Sequence, residues 1–106
     1  MRPITMFVTG GAILLKAGET PDNVARKIGS LAVAWAKAGV SVVQIREPWM
    51  TDRNLLELVR LVVSRVSAFD TKIVVNDRAD IAVAADAHGI HLKDEPLDVV
   101  RIREYG

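Results

Sequence analysis

Short runs of β-branched residues alternate with longer stretches of helical hydrophobic spacing in this chain, and that alternation predicts an α/β fold. The run at residues 40–45 is almost continuously apolar, as a strand buried on both faces is. Each stretch between runs can hold a helix, so the strands are expected to lie parallel with right-handed crossovers, in an open sheet or a barrel. With 106 residues, the chain is expected to be a single domain over 1–106.

Taken in order, Ile4 to Val8 reads as the first strand, ending at Thr9-Gly10-Gly11. The following loop carries Ile13, Leu14 and Leu15. Loop residues this apolar are expected to pack on the body or to act as a lid. Thr20-Pro21-Asp22 is a helix start, combining a capping hydroxyl, a first-turn proline and a carboxylate at the positive end of the dipole. Val24, Ile28, Leu31 and Trp35 then trace an apolar stripe, and Gly39 follows at the helix end.

Residues 40–45 form the second strand. Thr51-Asp52 opens a second helix, with Leu55, Leu58, Val59, Val62, Val63 and Val66 on its buried side. Residues 72–75 are the third strand. Asn76 or Asp77 is placed to cap a short helix over 78–85, whose buried face is Ile81, Ala84 and Ala85. Residues 89–92 are the fourth strand. A final helix is expected from Glu95-Pro96, carrying Leu97, Val100, Ile102 and Tyr105.

Composition narrows the function. The formal net charge is +1, and no run of Lys and Arg is interleaved with aromatics, which argues against nucleic-acid binding. There is no cysteine, so disulfides and thiolate metal sites are excluded and a cytoplasmic setting is expected. No apolar stretch approaches the roughly 20 residues that span a bilayer.

Three polar clusters follow the strands. Gln44 and Arg46 share one face by strand alternation, beyond Val40 and Val42. A guanidinium there matches phosphate, and a carboxamide can read a heterocyclic edge. Equally, Arg46 could pair with Glu47 or Asp77 at a solvated rim. In Asn76-Asp77-Arg78, Asn76 could orient a ligand and Asp77 could hold a divalent cation, while Arg78 could meet Asp77 or a phosphate; a plain helix cap accounts for the same residues. In His91-Leu92-Lys93-Asp94-Glu95, an acid could assist a metal and Lys93 could meet an anion. His88 and His91 fall on opposite faces of a strand and read as structural groups. Trp49 could stack on a heterocycle or cover an exposed strand end. Gly10-Gly11 is a weak phosphate-loop signal, without a full dinucleotide or Walker pattern.

Residues 39–47, GVSVVQIRE, residues 73–82, IVVNDRADIA, and residues 87–92, AHGIHL, together resemble three ordered motifs of the thiamine-phosphate synthase and TenI family. The resemblance covers the chain from Thr20 onward. It implies the first half of a TIM-type (βα) barrel, about four parallel strands alternating with helices, with the site at their carboxyl ends. It further implies that Gln44 and Arg46 hold a pyrimidine pyrophosphate, supported by Asn76, and that magnesium is held by Asp77. In the synthase, pyrophosphate leaves a pyrimidine methylene and a thiazole phosphate nitrogen captures the carbon. A TenI member instead moves a proton on a thiazole and needs no magnesium. Three positions depart from the family pattern: Pro48 stands where it has a lysine, Lys93 where it has a glycine, and Pro96 where it has a magnesium aspartate, with Glu95 one place early as the acid left to assist the metal. Four units cannot close an eight-stranded barrel. Both outer strands are therefore expected to be unpaired, and either a further half or a second copy completes the structure as a homodimer.

Overall fold

The computed structural model describes residues 4–93 and 98–102. Its elements are β1 (Met6–Val8), α1 (Ala12–Lys16), α2 (Pro21–Lys37), β2 (Val42–Ile45), α3 (Asp52–Arg65), β3 (Lys72–Asn76), α4 (Ala79–Ala84), β4 (Gly89–Lys93) and β5 (Asp98–Ile102). The sheet runs in sequence order from β1 to β5. Pairings β1–β2, β2–β3 and β3–β4 are parallel, with a helix in each crossover. This is the α/β half-barrel that the alternation and the family motifs predicted.

The helices begin where local chemistry places them. The Thr20 hydroxyl accepts from the Asn23 N–H at 3.2 Å, with Pro21 in the first turn of α2. The Thr51 hydroxyl accepts from the Asn54 N–H at 3.2 Å and starts α3 in the same way. Each cap satisfies one of the orphan donors of a helix start. The buried stripe of α2 is Val24, Ile28, Ala32 and Ala36, a four-residue ladder. Leu31 is exposed and Trp35 half-buried, so the stripe lies to one side of the expected one. Trp35 instead meets Phe7 edge-on, with ring centroids 5.1 Å apart.

The core lies between the helices and one face of the sheet. Val43 and Ile45 of β2 and Ile73 and Val75 of β3 pack there against Leu58, Val59 and Val62 of α3. The alternate residues Val42, Gln44 and Val74 are also buried, on the opposite face.

Further expectations need correction. The apolar loop after β1 contains the short helix α1, whose Leu14 packs partly buried against the core while Ile13 is exposed. Helix α4 has Arg78, not Asn76 or Asp77, at its N-cap position, and no side chain caps it. Its inner face uses Ile81, Ala82 and Ala85, and Ala84 is exposed. Residues 98–102 are not helical: they form β5, antiparallel to β4, in the register His91 opposite Val100. Val99, Val100 and Ile102 favour extended backbone, and pairing satisfies the ladder groups that β4 would leave open. Thus β4 is not an unpaired outer strand. The β1 edge has no strand beyond it among the described residues, and its three residues are all exposed.

Candidate functional site

Parallel neighbours deliver their final residues to the same end of a sheet, so β2 and β3 set the rim. The register places Val8 beside Gln44 and Asn76 beside His91. Gln44, Asn76 and His91 therefore belong to the face turned away from the helices. Gln44 is only 1% exposed. Its Nε2 reaches the Met6 sulfur at 3.6 Å, while its Oε1 has no hydrogen-bond partner among the described residues. A buried carbonyl oxygen left in this state costs stability, and it is an acceptor available to a donor on that face.

Arg46 lies just past β2 and is exposed. Its backbone N–H donates to the Thr9 hydroxyl at 3.0 Å. Its guanidinium makes no ion pair with a described residue, so the rim pairing with Glu47 or Asp77 does not form. Asp77 sits immediately after β3 with φ 57°, a left-handed conformation that Asp tolerates better than most residues. Its N–H donates to the His91 carbonyl at 2.7 Å, which carries the β3–β4 pairing one step past the strand end. Its side chain is exposed.

Arg78 turns to other acids than Asp77. It grips Asp80 with Nε at 3.1 Å and Nη2 at 3.0 Å, and Asp52 with Nη1 at 2.9 Å. These hydrogen bonds raise the guanidinium pKa further and hold the Asp80 carboxyl below the usual carboxylate value. Arg78 thereby links the start of α3 to the start of α4. A cavity of about 220 Å³ opens beside it, lined by Glu47, Pro48, Met50, Asn76, Asp77 and Arg78 among others. Asn76 and Asp77 share this cavity, whereas Gln44 and Arg46 do not line it. The predicted site residues thus reach the same end of adjacent strands in two groups. A larger void of about 550 Å³ lies at the amino ends, near Gly39, Phe69 and Thr71, and neither Gln44, Arg46, Asn76 nor Asp77 lines it.

Glu95, expected to assist Asp77 with magnesium, lies outside the described residues, as do Asp94 and Pro96. Among the described residues, no three His, Cys, Asp or Glu side chains gather as a metal site. Asp77 shares its cavity with one other carboxylate among the described residues, that of Glu47.

The residue that sequence reasoning undervalued is Glu47. It is 3% exposed. Its Oε2 accepts from the Thr9 hydroxyl, and its Oε1 accepts from the Gly11 N–H at 2.7 Å and the Trp49 indole N–H at 3.0 Å. Strand parity held the signal: Val43, Ile45 and Glu47 alternate on the helix-facing side. The Gly11 N–H is committed to Glu47 rather than open to a phosphate. A Cβ at Gly11 would come within 2.6 Å of Glu47 Oε1 and of Val24 Cγ1, so close approach explains the glycine. His88 is structural as expected: its Nδ1 accepts from the Ile73 N–H at 3.0 Å.

A half-barrel with its polar residues gathered at the carboxyl ends of parallel strands defines an α/β protein of the barrel-enzyme class. Within that class the chain belongs to the thiamine monophosphate synthase family, whose profile matches residues 17–106. It is similar to thiamine-phosphate synthase of Rhodopirellula baltica, 43% identical over 67 residues, which is 63% of this chain and 18% of that protein. It resembles the enzyme of the same name from Haloarcula marismortui at 38% identity over 90 residues, 85% of this chain and 39% of that one. Against that of Enterococcus faecalis it is 37% identical over 68 residues, 64% of this chain and 32% of that one. The chain thus spans between 18% and 39% of the length of these relatives. No solved structure gives a significant match. No helix of the described residues is long and apolar enough to cross a membrane.

Proposed function

We propose that this chain supplies the pyrophosphate-side half of a thiamine-phosphate synthase site. In that reaction hydroxymethylpyrimidine pyrophosphate would lose pyrophosphate, and a thiazole phosphate nitrogen would take the freed carbon. The observation that carries the reading is the Arg46 guanidinium. It stands exposed at the carboxyl end of β2, without a carboxylate partner among the described residues, next to the strand that ends in Asn76, with Asp77 just beyond it. Fixed cations of this kind bind phosphate oxygens and stabilise charge that develops on a leaving group. Gln44 would meet the pyrimidine through its unpartnered Oε1, and Asn76 would support the same ligand. Asp77, with Glu95, would hold magnesium, whose positive charge would offset that of the leaving pyrophosphate. A cytoplasmic setting fits the cysteine-free sequence.

Completion of the site would use the β1 edge, where Met6, Phe7 and Val8 are each more than 40% exposed. Further strands from a longer polypeptide, or a second copy of this chain, would pair there. Light scattering at micromolar concentration tests the second source: a monomer with a folded spectrum counts against the homodimer.

Pro48 favours a second reading. It lines the cavity where the family pattern has a lysine, and so removes one phosphate contact. A non-catalytic module that binds phosphorylated ligands, or a TenI-like member, would retain Arg46 without needing that lysine. Calorimetric titration with hydroxymethylpyrimidine pyrophosphate, with and without magnesium, separates the readings. Magnesium-dependent binding supports the synthase. Magnesium-independent binding without turnover supports the non-catalytic module, and no binding defeats both of these, leaving the TenI-like member to be tested by titration with a thiazole phosphate.

A further inference from the structure

We propose that Glu47 is a positioning residue, whose buried carboxylate locks the β1–α1 loop and Trp49 into one arrangement behind Arg46. Three neutral donors converge on it, from three places in the chain: the end of β1 (Thr9), the start of α1 (Gly11) and its own loop (Trp49). No Lys or Arg pairs with it among the described residues. Burying a carboxylate without a cation is unfavourable unless its oxygens are well satisfied, and here both are. An apolar side chain would fill the same volume at lower cost, so the carboxylate is there for the geometry it imposes.

That geometry reaches Arg46 directly. The Thr9 hydroxyl donates to Glu47 Oε2 and accepts the Arg46 N–H at 3.0 Å. One hydroxyl therefore fixes the backbone of the exposed guanidinium to the buried carboxylate. The Met50 N–H donates to the Glu47 carbonyl at 3.1 Å and closes the turn that carries Trp49. Gly11 admits this packing because any side chain there would collide with Glu47 and Val24. The two loops consequently move as one body, and Arg46 is presented from a fixed base rather than from a mobile loop. The consequence for ligand binding rests on the anion site proposed above; the clamp itself does not.

Amide and indole hydrogen exchange on the 106-residue chain provides the test, with Glu47→Ala, Glu47→Gln and Thr9→Val compared. Glu47→Ala should speed exchange at the Gly11 amide and the Trp49 indole by about tenfold, the worth of one such hydrogen bond, while Val43 and Val75 amides stay unchanged. Glu47→Gln should restore most of the protection, because its carboxamide oxygen can still accept from both donors. Pyrophosphate affinity should fall about tenfold in Glu47→Ala and recover in Glu47→Gln. Unchanged exchange at Gly11 and Trp49, or equal acceleration of the sheet amides, overturns the proposal. So does released exchange with unaltered pyrophosphate affinity. Should Glu47→Ala not fold, Thr9→Val reads the Arg46 linkage by the same two signals. If the unmodified chain binds no pyrophosphate, the anion site fails and the exchange data alone decide the clamp.

Discussion

The two faces of β2 and β3 use the same backbone for different ends. On the helix side, Val43, Ile45, Ile73 and Val75 are at most 1% exposed and are packed by α2 and α3. On the other side Val42 and Val74 give way to Gln44 and Asn76 as the strands approach their carboxyl ends. The first face is finished: every residue is apolar and has helix neighbours. The second keeps a buried amide oxygen without a partner among the described residues and ends beside an exposed arginine. Apolar packing is concentrated on one face, and the polar side chains of Gln44 and Asn76 are gathered on the other.

The comparison can be broken most severely at Ile73. Truncation to alanine should cost about 2–5 kcal/mol, the range for a buried aliphatic cavity, as read by denaturant unfolding. A loss well under 1 kcal/mol would mean that the helix side is not the main source of stability. Next in size is Arg46→Ala. It should weaken pyrophosphate binding by about 1.5–3 kcal/mol in calorimetry, with the unfolding midpoint unchanged because the side chain is exposed. Gln44→Met should do the reverse. Removing an orphaned buried oxygen at similar volume should raise stability by about 1 kcal/mol while ligand affinity falls. If stability drops instead, Gln44 already has its partner within the fold.

The smallest effect concerns Asp80, at the rim. Its carboxyl is held below the usual carboxylate value, first by the hydrogen bond from Arg78. A group whose folded pKa is depressed stabilises above its unfolded value and loses that contribution as pH falls through the folded one. Arg78→Ala should therefore flatten the dependence of the unfolding midpoint on pH below about 4. The group is fully exposed, so the change should be near the detection limit of a thermal scan. An unaltered slope would show that the Arg78 fork contributes nothing at acid pH.

Much of this was legible because it is local. Thr20 and Thr51 cap as their side chains dictate, and parity put Gln44 on the face opposite Val43. The misreadings were where a distant contact decided. Residues 98–102 form a strand because the β4 edge is there to pair with, an opportunity no helical period reveals. Arg78 chose Asp52, 26 positions away, over its neighbour Asp77. Glu47 looked like a rim acid because nothing in its own segment shows that Thr9 and Gly11 come to meet it.

The sequence by itself determined the alternation of strands and helices, the helix starts, the parallel crossovers and the family motifs, since all depend on residues within a turn or two of one another. Only the tertiary structure decided which acids face which cations, that the fourth strand is covered by an antiparallel neighbour, and that a glutamate lies buried beneath the rim. Those outcomes depend on groups separated by tens of residues. Their separation in space is set by packing the helices onto the sheet, and chain order does not encode it locally.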